Sequence, residues 1–155
     1  EKIALARNKL GARLTRGLRS IPGLTPVKTL PGSYPTWWFY LFRYDPKVVG
    51  VDIQTFAKAV QAEGISLYAG YQKPVYLAYP YLQNQTAFHH SKWPFAAAKK
   101  LPRYAPGYCP NAEKAIETGL NFPLTEWLST REIDDLLKAL RKVVAGIRAT
   151  DCPRH

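Results

Sequence analysis

At 155 residues and 46% apolar content, the chain is long and apolar enough to bury one domain's core. No apolar run reaches the roughly 18 residues of a membrane-spanning helix, and Glu1-Lys2-Ile3-Ala4 lacks the charged-then-apolar layout of a secretory signal. Lysine and arginine outnumber aspartate and glutamate 22 to 11, for a net charge of +11. That charge suits an acidic substrate, an anionic surface or nucleic acid. It equally suits one piece of a larger protein whose other part carries the compensating acids.

Residues 1 to about 20 read as an amphipathic helix with Ile3, Leu10, Leu14 and Leu18 near one face. Lys9, Arg13 and Arg16 form a basic stripe at helical spacing, read as a solvated or interdomain face, since no known RNA- or DNA-binding motif accompanies it. Ile21-Pro22-Gly23 stops the helix, and a crossing rich in proline and glycine follows through Pro26, Pro31, Gly32 and Pro35. The aromatic run Thr36 to Tyr44 predicts a central strand covered on both faces and ended by Asp45-Pro46. Asp52 caps a second helix running to Glu63, with Ile53, Phe56 and Val60 inward and Gly64 just past its end.

Ile65 to Tyr68 predicts a short second strand. From Ala69 to Pro106 the periodicity dissolves, leaving one short helix near Val75 to Leu82. A loop of that length in a compact domain is usually functional or mobile. Pro110 fits the first turn of a helix over 110–118, and Gly119 to Leu124 is a candidate third strand. Ser129 and Glu132 form a capping box before the last helix, whose stripe runs through Ile133, Leu136, Leu137, Leu140, Val143, Val144 and Ile147. Thr150 to His155 is expected to be a loose tail. Three strands and four longer helices, not strictly alternating, imply an α+β fold: a small antiparallel or mixed sheet with helices packed on one face.

The usual catalytic constellations are absent. His89 and His90 adjoin each other, His155 is terminal, and neither Cys109 nor Cys152 has metal-ligand spacing to them, so no zinc site is expected. Both cysteines are expected as free thiols. No nucleophile elbow and no phosphate-binding glycine loop occur.

Six stretches carry a resemblance. Gly107-Tyr108-Cys109-Pro110-Asn111-Ala112-Glu113 precedes Leu120-Asn121-Phe122-Pro123-Leu124 and Ser129 to Ile133. Upstream stand Trp37-Trp38-Phe39-Tyr40-Leu41-Phe42-Arg43, the junction Phe56 to Ile65, and Gly70-Tyr71-Gln72-Lys73-Pro74-Val75-Tyr76. Together they make the chain resemble the C-terminal part of the DegT/DnrJ/EryC1/StrS sugar aminotransferases over nearly all of residues 1–148. It looks most similar to members that aminate ketosugars or keto-cyclitols. The resemblance implies that residues 1–155 form a single domain, the small domain of a fold type I aminotransferase. A missing N-terminal domain would supply the catalytic lysine and hold most of the pyridoxal phosphate.

It further implies a cytoplasmic homodimer that moves an amino group from glutamate or glutamine to a ketone. No lysine of this chain has a recognisable Schiff-base setting, so no catalytic residue is expected here.

Trp38 stands where many members carry a histidine, which implies either a pocket wall or core. Tyr71 and Lys73 fall beside a strand end, Lys73 either bonding a substrate hydroxyl or carboxylate or remaining a solvated lysine. Tyr76 suits stacking on a sugar face as well as core packing. Tyr34 and Trp37 complete the substrate-side set. Cys109 and Glu113 read as helix initiation and interdomain contact, and His89 to Lys92 as an exposed loop. Two rivals stay open: a stand-alone, non-catalytic module binding a sugar or a protein, and a basic nucleic-acid-binding domain with strongly salt-dependent affinity.

Overall fold

The computed structural model describes residues 1–150. The chain divides into two compact units, one of Glu1–Gly70 with the stretch from Thr118 onward, the other of Tyr71–Glu117. Thr150 is the last residue of the final helix. The remainder of the expected tail, with Cys152 and His155, lies outside the described residues.

The first unit opens with α1 (Lys2–Leu18), which buries Leu10, Leu14 and Leu18. Ile3, expected on the same face, is exposed, because the buried stretch of α1 begins only at Leu10. The glycine- and proline-rich crossing holds a strand that periodicity could not reveal, β1 (Leu24–Pro26). Three residues are too few to show alternation, and Pro26 is tolerated because β1 is an edge strand.

Strand β2 (Phe39–Tyr44) is interior, but it starts after Trp37 and Trp38 and is not covered on both faces. Tyr40, Phe42 and Tyr44 are buried, Phe39 and Leu41 half-buried and Arg43 exposed, the alternation of an antiparallel strand with one core face. Asp45 both ends β2 and caps the short α2 (Pro46–Val49), accepting the Lys47 N–H at 2.9 Å. Asp52 accepts the Gln54 and Thr55 N–H groups at the start of α3 (Ile53–Ala62). The second expected strand is shifted and short, β3 (Tyr68–Ala69).

The second unit holds α4 (Val75–Ala78) and α5 (Pro80–Gln83), two single turns where one helix was expected. Pro80 explains the break: the residue before a proline is pushed out of the helical region, and Tyr79 lies at φ −110°, ψ 113°. Two 3₁₀ turns, Phe88–His90 and Phe95–Ala97, precede α6 (Pro110–Glu117).

Back in the first unit, β4 (Gly119–Pro123) leads to α7 (Thr130–Thr150). The Ser129 N–H donates to Glu132 at 2.7 Å and the Glu132 N–H to the Ser129 hydroxyl at 3.2 Å, the reciprocal capping box. The sheet order is β1-β2-β4-β3 with every pairing antiparallel. It thus has four strands rather than about three. Register pairs Tyr40 with Phe122 and Phe42 with Leu120 on one face. These side chains meet Leu14, Leu18, Phe56, Val60, Ile133, Leu136 and Leu140 in one core, so α1, α3 and α7 pack on that face.

Helices α1 and α7 approach most closely at Gly17, where a Cβ would fall 2.2 Å from a Leu137 methyl. Arg13 adds a bidentate pair to Asp134, both distances 2.7 Å. That pair is well exposed to solvent, so core burial rather than this bridge holds the two helices together. Leu140→Ala is therefore expected to lower unfolding stability by about 2–5 kcal/mol in a urea titration. Arg13→Gln should leave the midpoint nearly unchanged.

Candidate functional site

On the first unit, α1 turns Asn8, Ala12, Thr15 and Arg16 toward a cleft of about 370 Å³. Positions i, i+4, i+7 and i+8 share one helix face, so the helix itself builds this wall. The opposite wall is the segment before β2, with Thr29, Ser33, Tyr34, Pro35 and Trp37. Polar ties hold that wall in place. The Asn8 amide donates to the Pro35 carbonyl at 3.0 Å, and Arg7 donates to the Trp37 carbonyl at 3.3 Å. Arg7 is in turn clamped by Glu126 at 2.7 Å; the Glu126 backbone N–H first, then Arg7, hold that carboxyl below its ordinary value. At the floor, the Thr15 hydroxyl donates to the Gly11 carbonyl at 2.8 Å, which leaves Tyr40 as donor in the 2.6 Å Thr15–Tyr40 contact. Burial pushes the Tyr40 phenol up.

Trp37 bears two local costs. Its φ is 45°, in the left-handed region that a bulky residue rarely adopts. Its indole N–H is buried and has no acceptor. The ring lies 4.7 Å from that of Tyr40 and directly over Gly11, where a Cβ would fall 2.3 Å from the indole nitrogen. Only glycine lets the indole lie so close to α1. Tyr34 and Trp37 of the sequence-derived set are thus brought together, whereas Trp38 stands 84% exposed beside them in the chain.

The second unit contains Tyr71, Lys73 and Tyr76. Tyr71 and Lys73 are exposed, while Tyr76 is only 8% exposed. The Tyr76 hydroxyl donates to Glu113 and accepts the Cys109 N–H at 3.2 Å. Glu113 also receives the Gly107 N–H on both oxygens, at 2.8 and 2.9 Å. Tyr104 stacks on Tyr76 at 6.5 Å, and Tyr108 meets it edge-on at 5.5 Å.

The Tyr76 hydroxyl, then the Gly107 N–H, hold the Glu113 carboxyl below its ordinary value; burial, with the Glu113 contact, raises the Tyr76 phenol. Glu113 is therefore a hub tying α4 to the segment before α6. Reading the sequence missed this, because the partners lie 37 residues apart and share no local pattern. The only hint was an acidic residue in the first turn of a helix.

Among the described residues, no group of three or more His, Cys, Asp or Glu is placed to hold a metal, and no helix is long and apolar enough to cross a membrane. Cys109 is a free thiol.

A small antiparallel sheet carrying three helices on one face is a fold that the chain shares with part of solved aminotransferases. The solved structures that the chain resembles include an aminotransferase of the DegT/DnrJ/EryC1/StrS type from Brucella abortus (TM-score 0.59, 23% identity, 90% of this chain and 31% of that one). They also include DesV of S. venezuelae in complex with a ketimine intermediate (TM-score 0.67, 22% identity, 92% and 32%). Among curated proteins, the spore coat polysaccharide biosynthesis protein SpsC of Bacillus subtilis is 26% identical over 144 residues. That match takes in 90% of this chain and 32% of SpsC, so the chain spans about a third of its relative's length. No family model matches.

Aminotransferase chemistry through pyridoxal phosphate needs a lysine, a carboxylate for the ring nitrogen and donors for the phosphate. Two further clefts open on the first unit. One, of about 450 Å³, lies by Tyr68, Phe122 and Glu132. The other, of about 260 Å³, lies by Ile21, Arg141 and Arg148. No lysine lines any of these three clefts, so their residues do not fit that cofactor.

Two outcomes follow from the geometry. Gly11→Ala should displace the Trp37 indole, moving its N–H resonance in a ¹H–¹⁵N spectrum and lowering the melting temperature. The Glu113 carboxyl is depressed in the folded state, so its contribution is full above the unfolded-state value and is lost as pH falls through the folded one. Glu113→Gln should consequently flatten the acid limb of melting temperature against pH.

Proposed function

We propose that this chain is the C-terminal small domain of a pyridoxal-phosphate-dependent aminotransferase that aminates a ketosugar or keto-cyclitol with glutamate or glutamine as donor. The observation that carries the proposal is the lopsided coverage: nine-tenths or more of this chain matches about a third of SpsC, of DesV and of the Brucella aminotransferase. In this reading a separate N-terminal domain supplies the lysine and most of the cofactor pocket. The enzyme works as a cytoplasmic homodimer, and the isolated chain is inactive.

Tyr71 and Lys73, both exposed, are the residues of the second unit that face the substrate. Tyr76 serves them indirectly, because its hydroxyl is committed to Glu113. It positions the 71–76 segment rather than touching the substrate.

The test is amino transfer by the whole gene product from ¹⁵N-glutamate, and separately ¹⁵N-glutamine, to a panel of nucleotide-linked ketosugars and keto-cyclitols. Incorporation of ¹⁵N into one acceptor is expected. Lys73→Ala should raise KM more than it lowers kcat if the ammonium binds the ground state. No transfer from either donor to any acceptor by a protein loaded with cofactor would overturn the assignment.

A further inference from the structure

The cleft between α1 and the 29–37 segment has a composition that the transaminase reading does not use. Arg16 stands at its edge, exposed, with no carboxylate within ion-pair distance among the described residues. No acidic residue lines the cleft. The neighbouring arginines differ: Arg7 is clamped by Glu126 and Arg13 by Asp134. Of the three, Arg16 alone points an uncompensated guanidinium at a concave surface, the group suited to forked recognition of phosphate.

The rest of the lining suits a hydroxylated ring. Tyr34 and Trp37 offer aromatic faces on the wall opposite Arg16, and the Thr15 oxygen and Asn8 amide add polar contacts at the floor. The wall is built rather than incidental. It is fixed by two side-chain bonds from α1 and holds Trp37 in a strained backbone with an orphaned donor. Strain and an unpaired polar group kept at one residue are what a ligand site tolerates and a plain surface does not require. A volume of about 370 Å³ lies at the small end of ligand pockets, which excludes a whole nucleotide sugar.

We propose that this cleft binds a phosphorylated ring compound of monosaccharide size, with Arg16 on the phosphate and Tyr34 and Trp37 against the ring. The site needs neither a cofactor nor a second domain. A protein that binds here but transfers no amino group leaves this proposal standing and removes the previous one.

The experiment is hydrogen exchange read by mass spectrometry on the whole gene product, titrated with glucose 6-phosphate, inorganic phosphate and glucose. Glucose 6-phosphate should slow exchange saturably in peptides covering 8–16 and 29–37, with inorganic phosphate weaker and glucose inert. Arg16→Gln should weaken that effect by about tenfold to a hundredfold, the usual loss for a charge-assisted contact. Tyr34→Ala should weaken glucose 6-phosphate and leave inorganic phosphate unchanged. Both side chains are exposed, so neither variant threatens the fold. The proposal is overturned by no local protection at millimolar glucose 6-phosphate. Equal protection by glucose or by inorganic phosphate, or indifference to Arg16→Gln, overturns it too.

Discussion

The apolar stripe of α7 laid across the paired centre of the sheet is the contact on which the first unit depends. Strands β2 and β4 are neighbours in the sheet, but 74 residues lie between their nearest ends, Tyr44 and Gly119. Their inward faces, Tyr40, Phe42, Leu120 and Phe122, become a core only when a cover is placed over them. Helix α7 provides it with Ile133, Leu136 and Leu140, each worth about 1.5–3 kcal/mol when fully buried. Helix α1 packs beside it on the same face, and the glycine at position 17 sets how near it comes. The same close packing recurs one and a half turns earlier, where Gly11 admits Trp37 and creates the cleft wall.

How much of this was legible in the sequence depended on whether the signal was local. Ser129 and Glu132 announced the start of α7 because the capping box lies within four residues, and Asp52 did the same for α3. The stripe of α7 was legible because 3.6-residue periodicity accumulates over 21 residues. Strand β1 was not, since three residues carry no period and Pro26 argues against a strand unless it lies at an edge. The aromatic run misled in one respect. Tyr40, Phe42 and Tyr44 alternate with Phe39 and Leu41, so the apolar character was continuous while burial was not. Composition alone cannot separate a strand buried on both faces from one whose outer face is merely aromatic.

The candidate site shows the same division. Tyr34 and Trp37 were marked as substrate-side residues and do share a cleft, but Asn8, Thr15 and Arg16 on its other wall were read only as part of a helix or basic stripe. Their meeting is a tertiary event across a turn of some twenty residues. Tyr76 suits a pocket wall or a core by its chemistry; in the second unit it is buried and bonded to Glu113. Buried phenols recur in the first unit with the same logic. Tyr44 donates to the Val51 carbonyl at 2.7 Å, and its phenol is pushed up to about 12 by burial, then by Asp52 and Asp45. Each of these hydroxyls is a satisfied structural group.

The central claim is that this fold is one part of a larger catalyst, and the mass and colour of the natural gene product test it most directly. The account predicts a protein roughly three times the 17.5 kDa of this chain, yellow as isolated and losing that visible absorbance when glutamate is added. A colourless product of 17.5 kDa would contradict it.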